Sequence, residues 1–281
     1  MEINNAEIRR VIASALQEDI GKGDLTSQLT VASSVQAEMA YIAREAMTVC
    51  GMVVLEPLFL QLDAAVRVQI MMSDGAQVQA GETLATVQGP ARAILTGERV
   101  SLNLMQHLSG IATQTRAFVD AVAHTQAQIL DTRKTLPGLR WLQKYAVVCG
   151  GAVNHRMRLD DGILIKDNHL VLGGGVRACV RNAHNGAPRG MPVQVECDTL
   201  EQVQEALEAG ADGLLLDNMS LVQLQEAVQL AQGKAWLEAS GGVALETVRA
   251  IAETGVNRIS VGALTHSVRG MDIGLDWIKQ A

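Results

Sequence analysis

Apolar residues near the start of the chain first follow a helical spacing and then a strand spacing. Ile8, Val11, Ile12, Ala15 and Leu16 recur at i, i+3, i+4, i+7 and i+8, which predicts an amphipathic helix that Asn5 can cap. Strand-like alternation of apolar residues follows in three stretches, at 37–43, 66–70 and 84–87. A helix followed by alternating strands predicts a small, sandwich-like α+β domain with an antiparallel sheet.

The break at Gly89-Pro90 separates these strands from a long helical pattern. Leu102, Leu104, Met105 and Leu108 continue this pattern from Ala91 toward Ser109-Gly110, where we expect a second domain to begin. The predicted N-terminal domain therefore covers residues 1–110. Alternation of Ile273, Leu275 and Trp277 predicts that a strand within 270–281 returns to it.

The second half of the chain repeats one unit. Short apolar runs that end in a polar residue or glycine alternate with amphipathic stretches at a period of roughly 21–23 residues, which suits one strand, one helix and their loops. The apolar runs are Val193–Glu196, Leu214–Asp217, Trp236–Ser240 and Ile259–Gly262, and two further strands end near Asp131 and Lys166. At least six such units predict a TIM-like parallel α/β barrel over residues 111–269. An open doubly wound sheet is the alternative, but no GxGxxG sequence opens a strand–helix turn.

Composition narrows the possible functions. The net charge is −7 and the chain has only two Phe and two Tyr, whereas a nucleic-acid-binding protein needs a basic face and stacking rings. The four cysteines have no CxxC pairing and no histidine at a metal-binding spacing, which is typical of reduced thiols in the cytoplasm. No leader-like apolar segment opens the sequence, and no apolar run has membrane-spanning length. We therefore expect a cytoplasmic protein that binds neither nucleic acid nor membrane.

Positive charge is concentrated in one segment of this acidic chain. Residues 130–170 contain Arg133, Lys134, Arg140, Lys144, His155, Arg156, Arg158 and Lys166. Several of these residues lie where an apolar run ends, and a buried parallel strand delivers polar groups to the rim of a barrel in this way. Because Arg and Lys are the usual partners of carboxylate and phosphate, the segment predicts a small, highly anionic substrate.

The ends of the other predicted strands add carboxylates and glycines to the same rim. Glu196 and Asp217 could bind substrate hydroxyls or Mg²⁺, although each could instead cap the helix that follows it. The loops Ser240-Gly241-Gly242 and Val261-Gly262-Ala263 could offer backbone N–H groups to a phosphate, although glycine-rich loops are also ordinary turns.

Several motifs in a fixed order identify a family. TRKT-x-PG-x-R is followed by KYAV-x-CGG, NHR and ILIKDNH, and the resemblance extends to GDLTS near the start and to EASGG and SVGALTHS near the end. In this order and spacing the chain resembles quinolinate phosphoribosyltransferase. This resemblance implies a cytoplasmic enzyme of de novo NAD biosynthesis, active as a homodimer or a higher oligomer. It implies that quinolinate and phosphoribosyl pyrophosphate react, with Mg²⁺, to give nicotinate mononucleotide, pyrophosphate and CO₂.

The resemblance also implies roles for individual residues. Thr132, Arg133, Lys134, His155, Arg156 and Lys166 would bind quinolinate and pyrophosphate, with Lys134 and Lys166 among the catalytic groups. Glu196 and Asp217 would be catalytic as well and would bind the ribose hydroxyls or Mg²⁺. Ser240, Gly241, Gly242, Val261, Gly262 and Ala263 would hold the 5′-phosphate, and Arg99 would enter the site of the neighbouring subunit.

Three other interpretations stay open at this point. One is a homologue associated with molybdate transport that shares TRKT-x-PG and HR, although ILIKDNH favours the quinolinate enzyme. Another is an aldolase that forms a Schiff base through Lys166. The third is an anion-binding protein without catalytic activity.

Overall fold

The structure is a computed structural model that describes residues 5–278. The chain divides into two compact units. Among the described residues, the first consists of 5–116, 135–151 and 267–278, and the second of 117–134 and 152–266. The second stretch of the first unit follows the TRK sequence, and its Gly150 packs against Thr115 so closely that a Cβ atom would lie 2.5 Å from the threonine Cβ.

Helices flank an antiparallel sheet in the first unit. Its helices are α1 (Asn5–Ile20), α2 (Leu25–Thr30), α3 (Met52–Leu62), α4 (Ala91–Val122), which extends into the second unit, and α5 (Arg140–Cys149). Its strands are β1 (Gln36–Ala43), β2 (Met47–Thr48), β3 (Arg67–Ile70), β4 (Gln77–Val78), β5 (Thr83–Pro90) and β12 (Ile273–Trp277). The main sheet has the order β12-β1-β5-β3, and β2 pairs with β4. Tyr41, Phe59 and Ile94 are fully buried in its core.

The last strand of the described chain joins this first sheet. β12 pairs antiparallel with β1, with Ile273 opposite Ala43 and Trp277 opposite Met39. Residues 279–281 of the predicted return strand, and residues 1–4 at the other end, lie outside the described residues.

The helix α4 continues past the predicted start of the second domain, through Ser109-Gly110 to Val122. Gly110 is a packing residue within this helix, because a Cβ atom there would collide with the carbonyl oxygen of Arg269.

The second unit contains six parallel strands and the helices between them. The strands are β6 (Gln128–Leu130), β7 (Ile163–Ile165), β8 (Val193–Cys197), β9 (Gly213–Asp217), β10 (Trp236–Ser240) and β11 (Arg258–Ser260). The helices are α6 (Asp167–Gly173), α7 (Val176–Gly186), α8 (Leu200–Glu208), α9 (Leu221–Ala231), α10 (Leu245–Ala252) and α11 (Ala263–His266). The sheet order is β6-β11-β10-β9-β8-β7, and Leu130 at its β6 edge also bridges to Val153.

These observations confirm the predicted fold class, an α+β unit followed by a parallel, barrel-like α/β unit. Alternation along each strand of the second unit places one set of side chains inside the curved sheet and the other set against the helices. Leu214 and Leu216 are fully buried beside the helices, whereas Leu215 and Asp217 line an interior cavity. Within residues 5–278 no helix is long and apolar enough to cross a membrane.

Candidate active site

A cavity of about 410 Å³ opens at the carboxyl ends of the parallel strands. In barrels of this type the active site lies at this end. Nine residues predicted from the sequence line it: Thr132, Arg133, Lys134, His155, Arg156, Lys166, Glu196, Asp217 and Ser240. Leu164, Leu215, Glu238 and Ser260 complete the lining. Lysine, arginine and histidine side chains from the β6 and β7 side therefore face carboxylates from the middle of the sheet.

The loop after β6 is held in place by hydroxyl groups. Thr132 Oγ1 accepts a hydrogen bond from the backbone N–H of Lys134 at 3.0 Å, and Thr265 Oγ1 donates to the Lys134 carbonyl oxygen at 2.7 Å. Both hydrogen bonds involve the backbone of Lys134, and neither uses its side-chain amine. The loop thus presents the Arg133 and Lys134 side chains from a fixed backbone.

The segment 154–156 is anchored by a fully buried carboxylate. Asp131 accepts hydrogen bonds from the backbone N–H of His155 at 2.8 Å and from Asn154 Nδ2 at 2.6 Å. Arg156 Nη1 donates to the Gly162 carbonyl oxygen at 2.8 Å. Burial, followed by the neighbouring charge of Arg133, lowers the pKa of Arg156 below its ordinary value. An arginine remains protonated in proteins, so two guanidinium groups are crowded at the cavity, and an anion between them would relieve their repulsion.

Glu196 and Asp217 occupy the ends of the neighbouring strands β8 and β9. Glu196 Oε2 accepts a hydrogen bond from Lys166 Nζ at 3.0 Å, and Asp217 Oδ2 accepts one from Asn218 Nδ2 at 2.6 Å. Asn218 has a φ of 53° and donates its backbone N–H to the Ser240 carbonyl oxygen at 2.9 Å. Left-handed backbone at a residue other than glycine is uncommon and is concentrated at functional sites.

Two glycine-containing loops follow β10 and β11. Gly241 has a φ of 91°, and a Cβ atom at this position would collide with Asn218 Oδ1. Gly242 has a φ of 58° and open space where a Cβ atom would be. At Gly262 a Cβ atom would lie 3.1 Å from Lys134 Cδ. Gly241 and Gly262 therefore allow close backbone approach at the Asp217 loop and beside Lys134, whereas Gly242 is required only by its left-handed backbone.

Some predicted residues are not part of the cavity lining. Gly241, Gly242, Val261, Gly262 and Ala263 continue the loops that begin at the lining residues Ser240 and Ser260. Val261 is buried, with 1% of its surface exposed. Arg99 is exposed on α4 in the first unit, which also contains Arg140 and the fully buried Lys144 of the cationic segment.

Sequence reasoning did not select three residues that shape the site. Asp131 was interpreted only as a strand end, and its burial under segment 154–156 depends on a contact across more than twenty positions. Asn218 could have been noticed as a non-glycine residue in a sharp turn after a strand. Glu238 is wholly buried on β10 and lines the cavity. Its position in the alternating run WLEAS, on the same face as Ser240, was only a weak indication of a site residue.

The carboxylates fit a Mg²⁺ ion in their chemistry. Mg²⁺ in phosphate-handling enzymes is usually held by one or two carboxylates together with substrate phosphates and water. Glu196 and Asp217 supply two such carboxylates on adjacent strands. Within residues 5–278 there is no cluster of three or more His, Cys, Asp or Glu side chains that could hold a metal ion.

Comparison with known proteins covers nearly the whole chain. The model of the N-terminal domain of quinolinate phosphoribosyl transferase matches residues 24–109, and the model of its C-terminal domain matches residues 111–276. A nicotinate-nucleotide pyrophosphorylase (carboxylating) of Mycobacterium leprae is 48% identical over 95% of this chain and 96% of its own length. A probable nicotinate-nucleotide pyrophosphorylase (carboxylating) of Bacillus subtilis is 42% identical over 98% of this chain and 94% of its own length.

A solved structure shows the same fold. The nicotinate-nucleotide pyrophosphorylase from Francisella tularensis superposes with a TM-score of 0.94 at 39% identity, covering 98% of this chain and 97% of its own. Both domain models match in order, and full-length relatives agree with them. The chain therefore belongs to the quinolinate phosphoribosyltransferase family.

Proposed function

We propose that this protein catalyses carboxylating phosphoribosyl transfer in NAD biosynthesis: quinolinate and phosphoribosyl pyrophosphate give nicotinate mononucleotide, pyrophosphate and CO₂. Family membership supports the reaction. The structural observation that carries the proposal is the strand-end cavity, in which Arg133, Arg156 and Lys166 face Glu196 and Asp217. Such a cavity combines binding groups for carboxylates with binding groups for a phosphorylated sugar.

The cationic side of the cavity would bind quinolinate. The two carboxylates of quinolinate would pair with the crowded guanidinium groups of Arg133 and Arg156, because an anion relieves the repulsion between them. Thr132, His155 and Lys166 line the same side. The Lys134 side chain lies on this side next to Gly262, and there it would contact the pyrophosphate group.

The acidic residues and the glycine loops would bind phosphoribosyl pyrophosphate. Glu196 and Asp217 would accept hydrogen bonds from the ribose hydroxyls or hold Mg²⁺, which when bound would neutralise charge on the pyrophosphate. The loops Ser240-Gly241-Gly242 and Val261-Gly262-Ala263 would donate backbone N–H groups to the 5′-phosphate.

The reaction would proceed without a protein nucleophile. The bond between C1 of the ribose and the pyrophosphate oxygen breaks, and the electron pair leaves with pyrophosphate while Lys134 stabilises the departing charge. The pyridine nitrogen forms the new bond to C1 and becomes cationic. The adjacent carboxylate then leaves as CO₂, its bonding electrons stay on the ring carbon beside the cationic nitrogen, and a proton from water completes the product.

The active site would be shared between the subunits of a homodimer. Arg99 would enter the quinolinate pocket of the neighbouring subunit, as the family resemblance implies. Its exposed position on α4 leaves it accessible to such a contact. Dimers of this kind could assemble further.

The enzyme would act in the cytoplasm on small anionic substrates. All four cysteines are free thiols, which suits a reducing compartment. Two of them, Cys50 and Cys197, are buried, and burial raises the pKa of the Cys197 thiol to about 12.

The Schiff-base alternative is less well supported by the structure. Lys166 Nζ, the amine that would attack a carbonyl substrate, is engaged as a hydrogen-bond donor to Glu196. Borohydride treatment with a carbonyl substrate should therefore leave no covalent adduct on Lys166.

The test is a product assay on the purified protein. Quinolinate and phosphoribosyl pyrophosphate with Mg²⁺ should give nicotinate mononucleotide, pyrophosphate and CO₂ in equal amounts. Nicotinate in place of quinolinate serves as the control, because it has no carboxylate at the position that is lost. Absence of turnover with quinolinate, or pyrophosphate release without CO₂, would refute the proposal.

A further inference from the structure

A wholly buried carboxylate lies beneath the mouth of the cavity. Glu238 is 0% exposed and occupies the middle of β10, two residues from Trp236 and two from Ser240 on the same inward face. Its Oε2 accepts a hydrogen bond from Gln194 Nε2 at 3.0 Å. Its Oε1 is buried and has no hydrogen-bond partner.

Such a carboxylate is costly to the fold. Moving a carboxylate out of water is unfavourable, and the attraction to its partners seldom offsets the loss completely. Barrel interiors are usually filled by branched apolar residues, and β10 itself buries Leu237 and Ala239 on its other face. A structural role alone does not explain an acidic group at position 238.

The basic group in contact with Glu238 is the ring of His155. His155 Nε2 lies 3.6 Å from Glu238 Oε1. The other ring nitrogen, Nδ1, accepts a hydrogen bond from the backbone N–H of Arg156 at 2.7 Å. Because an accepting nitrogen carries no proton, Nε2 carries the proton and directs it toward Glu238.

The ring stands between two cavities. His155 and Arg156 line both the cavity at the carboxyl ends of the strands, here called the mouth cavity, and a second cavity of about 380 Å³ around Gln194, Trp236 and Arg258. The second cavity offers space into which the imidazole could turn. The Glu238 carboxylate attracts Nε2–H and opposes this rotation.

We propose that Glu238 is a positioning residue: together with the Arg156 backbone N–H that Nδ1 accepts, it holds the ring orientation and the Nε2–H tautomer of His155, and so the cationic half of the site. This inference rests on the proposed function, in which His155 and Arg156 bind quinolinate. The 3.6 Å separation is longer than a hydrogen bond, so the contact between Nε2 and Glu238 is electrostatic. In this proposal Glu238 acts through His155.

The decisive variants are Glu238→Leu and Glu238→Gln in the full-length protein. Leucine keeps most of the volume and removes the acceptor, whereas glutamine keeps an acceptor and removes the charge. Leu237→Ala is the matched control, since it disturbs the buried opposite face of the same strand. Glu238→Gln is nearly isosteric, so it serves as the folded variant if Glu238→Leu does not fold.

The first readout is the tautomer of His155 in the ligand-free protein, from ¹⁵N-edited imidazole spectra assigned with His155→Asn. The wild type and Leu237→Ala should show a single Nε2–H form. Glu238→Gln should show a mixed or altered form. An Nδ1–H form in the wild type, or identical spectra in wild type and Glu238→Gln, would overturn the proposal.

The second readout is the KM for each substrate. Glu238→Leu should raise the KM for quinolinate about tenfold to a hundredfold and Glu238→Gln by less, with the KM for phosphoribosyl pyrophosphate changed less than about twofold. An equal rise for both substrates would overturn the role of Glu238 in the quinolinate half. The spectra need no turnover, so failure of the proposed reaction in the wild type remains distinguishable from failure of this inference.

Discussion

Two parts of the cavity rim meet at the same mouth but are built from different chemistry. The cationic rim (Thr132, Arg133, Lys134, His155, Arg156 and Lys166) presents side chains, whereas the glycine rim (residues 240–242 and 261–263) presents mainly backbone. The cationic rim is held by buried partners such as Asp131, and the glycine rim depends on left-handed backbone at Gly241 and Gly242. Substitutions on the first should remove function and leave the fold intact. Substitutions on the second should disturb the local fold as well.

The largest effect is expected from the cationic rim. Arg133→Ala and Lys134→Ala should each lower kcat/KM by about one to two orders of magnitude or more. A lost charge-assisted contact costs about 1.5–3 kcal/mol, and more if it acts chiefly in the transition state. Steady-state kinetics measure the loss, and thermal unfolding should show little change.

Arg158→Ala provides the control for this prediction. Arg158 belongs to the same cationic segment, but its side chain is 74% exposed and pairs with Asp160. Near-normal activity is expected. Comparable losses at Arg158 and Arg133 would mean that overall positive charge matters and that the rim has no special role.

Mixed dimers test whether the cationic rim is completed by a partner subunit. Arg99→Ala and Lys134→Ala homodimers should both be nearly inactive. Random re-association makes half of the dimers mixed, each with one intact site of two, so activity should recover to about a quarter of the wild type. Mass spectrometry verifies the exchange. If exchange occurs and no activity returns, the site is not shared in this way.

A smaller and more selective effect is expected from Asp217, which lies between the two rims at the end of β9. Asp217→Asn should raise the KM for phosphoribosyl pyrophosphate, or the Mg²⁺ requirement, by about tenfold with little change for quinolinate. Asp198→Asn, at an exposed position just after β8, is the control. Equal weakening for both substrates would contradict the assignment of Asp217 to the sugar-phosphate half.

The smallest effect separates two glycines of the glycine rim. Gly242→Ala should cost about 1 kcal/mol of unfolding free energy, since only the left-handed backbone is strained and the space is open. Gly241→Ala should cost more, because its Cβ atom would also displace Asn218 next to Asp217. Denaturant unfolding measures both. Equal costs would show that the Asn218 contact is unimportant.

The two rims also differ in how far the sequence revealed them. The cationic rim was predictable because the sequence itself shows a charged residue at the end of an apolar run. Lys166 follows β7 directly, as predicted, and the acidic residue Asp217 ends β9 in the same way. β10 begins and ends at the predicted residues, Trp236 and Ser240. β11 is shorter than predicted and ends at Ser260, because the chain leaves the sheet before Gly262.

What the sequence could not reveal depends on contacts between distant residues. Gly110 was interpreted only as the place where a second domain begins, but it lies inside α4 and lets that helix pass the carbonyl oxygen of Arg269. The alternation in β10 indicated that Glu238 shares a face with Ser240, but not that His155 would lie against it. Local periodicity fixes which face a residue occupies, and only the assembled sheet determines its partner.

A crystal structure with bound quinolinate would test the division between the two rims most directly. Both carboxylates should lie against the cationic rim, within hydrogen-bonding distance of Arg133 and Arg156, and the glycine rim should remain free for the phosphoribosyl group. Quinolinate bound against Gly241 and Gly242, or away from the mouth cavity, would contradict the account.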